Sequence, residues 1–148
     1  GLLHDAAKQL PLPEMQALAE KSFPVLPAPI LANGGLLHGY AAVTIAKERY
    51  GITDPALLGA VAHHTTGAEQ MSTLEKIIFL ADYIEVNRDF DGVDDLRQAA
   101  RRDLDEAVLL GYDSTIRHLL DQGKPIFVGT VVNRNAQIDV VRAADGKA

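Results

Sequence analysis

The stretch IFVGTVVNRNAQIDVV, Ile126–Val141, decides between an all-helical fold and a mixed one. Its valines, isoleucines and threonine suit a strand, yet their spacing also tolerates a helix. A single strand would have no partner for its backbone groups, so the stretch is read as a helix and the domain as all-α.

Upstream of it, DDLRQAARRDLDEAVLLGYDSTIRHLLDQGKP (Asp94–Pro125) is the longest periodic segment. Leu96, Ala100, Leu104, Ala107, Gly111, Thr115 and Leu119 share one stripe, which predicts one long helix stopped by Gly123 and Pro125. STLEKIIFLADYIE (Ser72–Glu85) opens with a capping box, Ser72 paired with Glu75. TDPALLGAVAHHTTG (Thr53–Gly67) offers Asp54 as N-cap and Pro55 at the first helical position, and is predicted to run to Gly67. LLHGYAAVTIAKERYG (Leu36–Gly51) is another helix, with Gly51 as its stop. Before it, the three prolines and two glycines of FPVLPAPILANGG (Phe23–Gly35) predict an irregular excursion after a short first helix.

The 148 residues suit one domain, read here as spanning 1–148, and 47% hydrophobic with 23% charged residues is an ordinary globular balance. A net charge of -6 and 5% aromatics argue against an extended nucleic-acid partner. A small phosphorylated substrate remains open if cations neutralise it locally. Cysteine is absent, which excludes disulfides, thiolate metal sites and a cysteine nucleophile and agrees with a cytoplasmic setting. No apolar run reaches the roughly 18 residues of a membrane span, so no membrane partner is expected.

Chemistry therefore falls to imidazole and carboxylate. His4 and Asp5 are adjacent, with Lys8 one turn beyond His4 at the edge of an apolar helix. By itself that pair fits a solvated helix edge. His38 stands among small residues that would admit a close neighbour, and His63 and His64 are consecutive, so only one of them can point squarely into a common site. Asp82 lies one turn after Ile78 in an apolar run, where a buried carboxylate requires a cation: an Arg or Lys of another helix, or a metal. Taken with the histidines and Asp5, a metal is the better partner. Such ligands suit Fe, Mn or Zn, and the two oxygens of Asp5 could bridge two ions that activate water and clamp phosphoryl oxygens. His118 is read as structural or as a helix-terminal charge, and the charged run Asp94–Glu106 as a solvated face with local ion pairs.

GLLHDAAK, LLHG, HHTTG, MSTLEKIIFLADYIEVNR and GVDDLRQAARRDLDEA, in this order, resemble the HD-domain phosphohydrolases of the YqeK type, the bacterial symmetrical diadenosine tetraphosphate hydrolases. The resemblance implies an all-α HD-domain helical bundle whose two divalent metal ions, iron in this family with manganese or others as substitutes, split diadenosine tetraphosphate into two ADP. It implies His4, Asp5, His38, His64 and Asp82 as metal ligands, with Asp5 bridging, and favours His64 over His63. Lys8, His63, Thr65, Thr66, Gly67 and Arg88 match the substrate-facing surround, with Asp5 and Lys8 as the catalytic pair.

The family pattern carries a further histidine ligand on a helix upstream of the HD pair, a position this sequence does not include. Proline usually stands at the position of Val86, and a small residue or proline at Tyr40. The alternatives are an HD enzyme acting on another nucleotide phosphoester and a non-catalytic ligand-binding HD module. A homodimer is a further expectation.

Overall fold

The computed structural model describes residues 3–85 and 88–146; Val86 lies outside them. Among the described residues all regular secondary structure is helical, as the sequence predicts. The chain divides into two compact units, Gly1–Thr66 and Gly67–Ala148.

The first unit holds α1 (Leu12–Ser22), α2 (Ala28–Leu31), α3 (Gly34–Tyr50) and α4 (Pro55–Ala62). Ten consecutive residues of α3, Leu37–Ala46, are buried, so this helix is enclosed on all sides rather than amphipathic. Its alanines Ala41, Ala42 and Ala46 let neighbouring helices approach, and α1 packs along it through Met15 and Ala19. Polar ties fix the register. Thr44 donates to the Leu18 carbonyl at 2.5 Å and bonds Ser22 at 2.7 Å, while Gln16 donates to the Leu31 carbonyl at 2.8 Å. Asn33 caps α3 and Asp54 caps α4, each accepting at 2.9 Å from the amide two residues on.

The second unit holds α5 (Thr73–Ile84), α6 (Val93–Arg102), α7 (Leu104–Asp121) and α8 (Val128–Ala144). Its core joins Phe79 and Leu80 of α5, Leu96 and Ala99 of α6, and Ala107, Val108 and Tyr112 of α7. Ser72 and Glu75 form the capping box. α8 docks on α7 through Gln137, which donates to the Asp105 carbonyl at 2.8 Å, and through Arg134, 2.8 Å from Asp113. Three of its valines, Val128, Val131 and Val132, stay exposed.

Four expectations need correction. Asp94–Pro125 is two helices, because Asp103 turns extended and its carboxylate accepts from the Asp105 and Glu106 amides, capping α7 within the apolar stripe. The excursion Phe23–Gly35 contains α2 and the start of α3: Pro27 and Pro29 fall at the beginning of a helix, where a missing N–H costs nothing. α4 stops at Ala62, and 63–66 continue as turns rather than helix to Gly67. The HD pair does not lie on an α-helix either. Residues 3–9 form turns with bonds from Ala6 to Leu3 and Lys8 to Asp5, both 3.1 Å, and Pro11 disfavours helix at the residue before it.

Candidate metal centre

Within the first unit these turns bring His4 and Asp5 against two histidines from the helical scaffold. His38 sits in the second turn of α3, and its Nδ1 donates to the Gly34 carbonyl at 3.1 Å. His64 follows α4, and its Nδ1 donates to the Val61 carbonyl at 2.7 Å. Gly39 makes room for this: a Cβ there would lie 2.8 Å from the Ala62 carbonyl oxygen, 2.9 Å from that of Val61 and 3.1 Å from His64 Nδ1. The end of α4 can thus press its carbonyls and His64 against α3.

With Nδ1 donating in both rings, each Nε2 presents a lone pair. The two Nε2 atoms face each other at 2.9 Å, and Asp5 Oδ1 lies 3.2 Å from one and 3.4 Å from the other. Asp5 Oδ1 is buried and accepts no hydrogen bond. Three acceptors then converge, an arrangement that suits a cation. Ligand bonds of about 2.0–2.2 Å place two donors of one metal about 3.0–3.5 Å apart, the spacing this triad shows. The carboxylate also addresses a second position: His4 Nε2 is 3.3 Å from Asp5 Oδ2, and the His4 ring meets that of His64 edge to face at 4.9 Å. His4, Asp5 and His64 each offer a ligand atom within 4.8 Å of the others, so this His/Asp group could hold a metal.

Electrostatics keep His64 and Asp5 unprotonated near neutral pH, the state in which each can act as a ligand. Burial pulls the His64 pKa below 6.5, with His38 and His4 adding to the shift against the Val61 hydrogen bond and Asp5. Burial would raise Asp5, but the fields of His4, Lys8, His64 and His38 together hold it below its usual 3.8. For His64 the folded state binds a proton more weakly than the unfolded chain, so stability falls as pH drops from 6.5 towards the folded value. Metal-free protein is therefore expected to lose thermal stability between pH 7 and pH 5, by at most about 1.4 kcal/mol per pH unit from this group. Melting of chelator-treated protein against pH checks this, and a midpoint that rises on acidification would contradict it. The Asp5 shift acts only in stronger acid, below 3.8.

The other residues singled out in the sequence lie as follows. Lys8 is exposed, three residues after Asp5. His63 closes α4 half-buried, its ring 6.2 Å from that of Tyr40, so His64 is the member of the pair that enters the cluster. Thr65 Oγ1 is buried and has no hydrogen-bond partner. Thr66 is buried and bonds the Tyr40 hydroxyl at 3.3 Å, so Tyr40, the departure noted above, is tied to the turn after His64. In the second unit Gly67 is buried with φ of 67°, Asp82 is half-buried on α5, and Arg88 is exposed. His118 is exposed in the last turn of α7. Sequence reasoning passed over Gly39, for which the only signal was a glycine inside an otherwise good helix.

Residues 1–87 match the family described as HD domain. The chain is 41% identical over 136 residues to a symmetrical bis(5'-nucleosyl)-tetraphosphatase of Halalkalibacterium halodurans, covering 91% of this chain and 72% of that protein. Proteins of the same name from Bacillus subtilis and Staphylococcus aureus are each 35% identical, covering 91% and 88% of this chain and 72% and 68% of their own lengths. A crystal structure from Clostridium acetobutylicum, described as a predicted HD superfamily hydrolase involved in NAD metabolism, superposes with a TM-score of 0.87 at 43% identity, over 93% of this chain and 73% of that one.

Proposed function

Because the chain belongs to the HD-domain hydrolase family, we propose that it hydrolyses diadenosine tetraphosphate symmetrically, to two ADP, with two divalent metal ions, iron in this reading, as its cofactors. The observation that carries the proposal is the convergence of His38 Nε2, His64 Nε2 and Asp5 Oδ1 within 2.9–3.4 Å of one another. The names of the relatives support the substrate. Asp82 enters the ligand set on the motif match. The reading takes residues 1–148 as one HD domain, supported by a family match that continues past Thr66 to residue 87.

A bound metal pair supplies water activation at neutral pH and neutralisation of phosphoryl charge. The chain's own residues prepare for both. The Gly34 and Val61 carbonyls hold His38 and His64 in the tautomer that leaves Nε2 unprotonated. Asp5 turns Oδ1 to these two rings and Oδ2 to His4, and so serves two adjacent positions, as a bridging carboxylate does. In this reading Lys8 and Arg88 offset charge on the transferring phosphoryl group. Thr65, with a buried hydroxyl lacking a partner, can donate to a phosphate oxygen, and His63, Thr66 and Gly67 complete the surround. A cytoplasmic location and a homodimer belong to the same reading, supported by the cysteine-free sequence and by the exposed valines of α8. None of the described helices is long and apolar enough to cross a membrane.

Anaerobic reconstitution with Fe(II), followed by product analysis, tests the proposal. ADP as the sole nucleotide product is expected; AMP plus ATP would overturn the symmetrical assignment.

A further inference from the structure

Arg97 lies on α6, in a charged run that the sequence presents as a solvated face. Its guanidinium is instead spent on backbone. Nε donates to the Ile84 carbonyl at 3.2 Å, and Nη2 donates to the carbonyls of Glu85 at 2.9 Å and Arg88 at 2.8 Å. Only Nη1 turns to a side chain, the 86% exposed Asp94 at 3.2 Å, an ion pair of the kind that contributes little. The Arg97 side chain is 27% exposed, partly withdrawn from solvent to make these bonds.

The need for such a group is local. α5 ends at Ile84 with no basic residue in its last turn, so its final carbonyls depend on partners from outside the helix. The Glu85 carbonyl already accepts from the Arg88 amide at 2.9 Å. Arg97 adds a donor to that carbonyl and one to that of Arg88. Three carbonyls spread over this span call for a planar fork of donors, which a lysine ammonium does not provide.

We infer that Arg97 is a positioning residue: it clamps the carbonyls of Ile84, Glu85 and Arg88 and thereby sets the backbone from which Arg88 reaches the substrate phosphates. The inference rests on the proposed role of Arg88 and adds a residue that nothing in the motif match assigns to the site. Loss of the fork leaves the Arg88 charge in place but frees its backbone, and a displacement of about 1 Å is enough to weaken a phosphate contact severely.

The test compares Arg97→Lys, Asp94→Asn, Arg88→Ala and Arg88→Ala/Arg97→Lys in the metal-loaded protein. It reads KM and kcat for diadenosine tetraphosphate, together with native-state hydrogen exchange at the Arg88 amide. Arg97→Lys should raise KM about tenfold and speed exchange at Arg88 by at least as much, while Asp94→Asn leaves both unchanged. In the Arg88→Ala background, Arg97→Lys should cost less than twofold further. Equal losses in both backgrounds would overturn the inference, since Arg97 would then act elsewhere, and so would unchanged exchange at Arg88. If wild-type protein forms no ADP from this substrate, the proposed function fails, while exchange at Arg88 still reports on the clamp.

Discussion

Asp5→Asn is expected to abolish hydrolysis, by about 10³-fold or more, while leaving the metal-free protein as stable as wild type or more so. The two effects have opposite signs because the residue sits in an arrangement of acceptors. Asp5 Oδ1 is buried without a hydrogen bond, and Nε2 of His38 and Nε2 of His64 lie 2.9 Å apart. Asparagine can place an amide N–H₂ where Oδ1 now stands and donate to both Nε2 atoms, relieving a penalty of about 1–3 kcal/mol per unsatisfied buried group. The same donors fill the positions a metal needs. Divalent ions should therefore raise the melting temperature of wild type, by the equivalent of about 2.7 kcal/mol at a hundredfold excess over Kd, and should not shift the variant. Calorimetry with and without metal checks both signs. Destabilisation of the metal-free variant by several kcal/mol would show that Asp5 is held by an ordinary ion pair.

The elements legible in the sequence are those encoded over three or four residues. Asp54 and the Ser72/Glu75 box can be read directly, because a cap is a bond between near neighbours, and both bonds are present. Asp103 is equally close to its partners, yet its cap is not legible in the sequence. Its place between Ala100 and Leu104 on one apolar stripe made the period look continuous, and period says nothing about whether one residue turns out of the helix to cap the next. The HD segment misled for a related reason. Its apolar residues invite a helix, but Pro11 disfavours helix at the residue before it, and residues 3–9 pack as turns with Ala7 buried.

The centre divides in the same way. Its residue types were visible: histidines and a carboxylate with no cysteine leave few other chemistries. What brings His38, His64 and Asp5 into one cluster was not visible. That depends on the Gly34 and Val61 carbonyls fixing two tautomers, and on a missing Cβ at Gly39 that lets α4 come close. These are through-space facts about backbone groups, which carry no side-chain signature. Arg97 belongs with them, since a carbonyl as partner looks in sequence like solvent as partner.

Gly67→Ala is expected to destabilise the protein by about 2–5 kcal/mol, the second of the two largest effects. Two costs combine. The backbone of Gly67 has φ of 67°, where a Cβ costs about 1–2 kcal/mol. That Cβ would also run into the Tyr112 hydroxyl, with Cζ and Cε1 of the ring 2.7 and 2.8 Å away. Tyr112 has little room to yield: it is 1% exposed, its ring packs on Phe79 at 4.8 Å, and its hydroxyl donates to the Ala68 carbonyl at 3.4 Å. Overpacking of this kind adds about 1–3 kcal/mol, so the melting temperature should fall by on the order of 10 °C. Tyr112→Phe removes the colliding oxygen at the cost of one long hydrogen bond. The double variant should therefore be more stable than the sum of the single changes by about 1 kcal/mol or more, with the backbone strain and the close ring carbons remaining. Chemical denaturation of the four proteins measures that coupling. If Gly67 were required only as a backbone approach for phosphate, the alanine variant would keep its stability and lose substrate affinity alone, and the cycle with Tyr112→Phe would show no coupling.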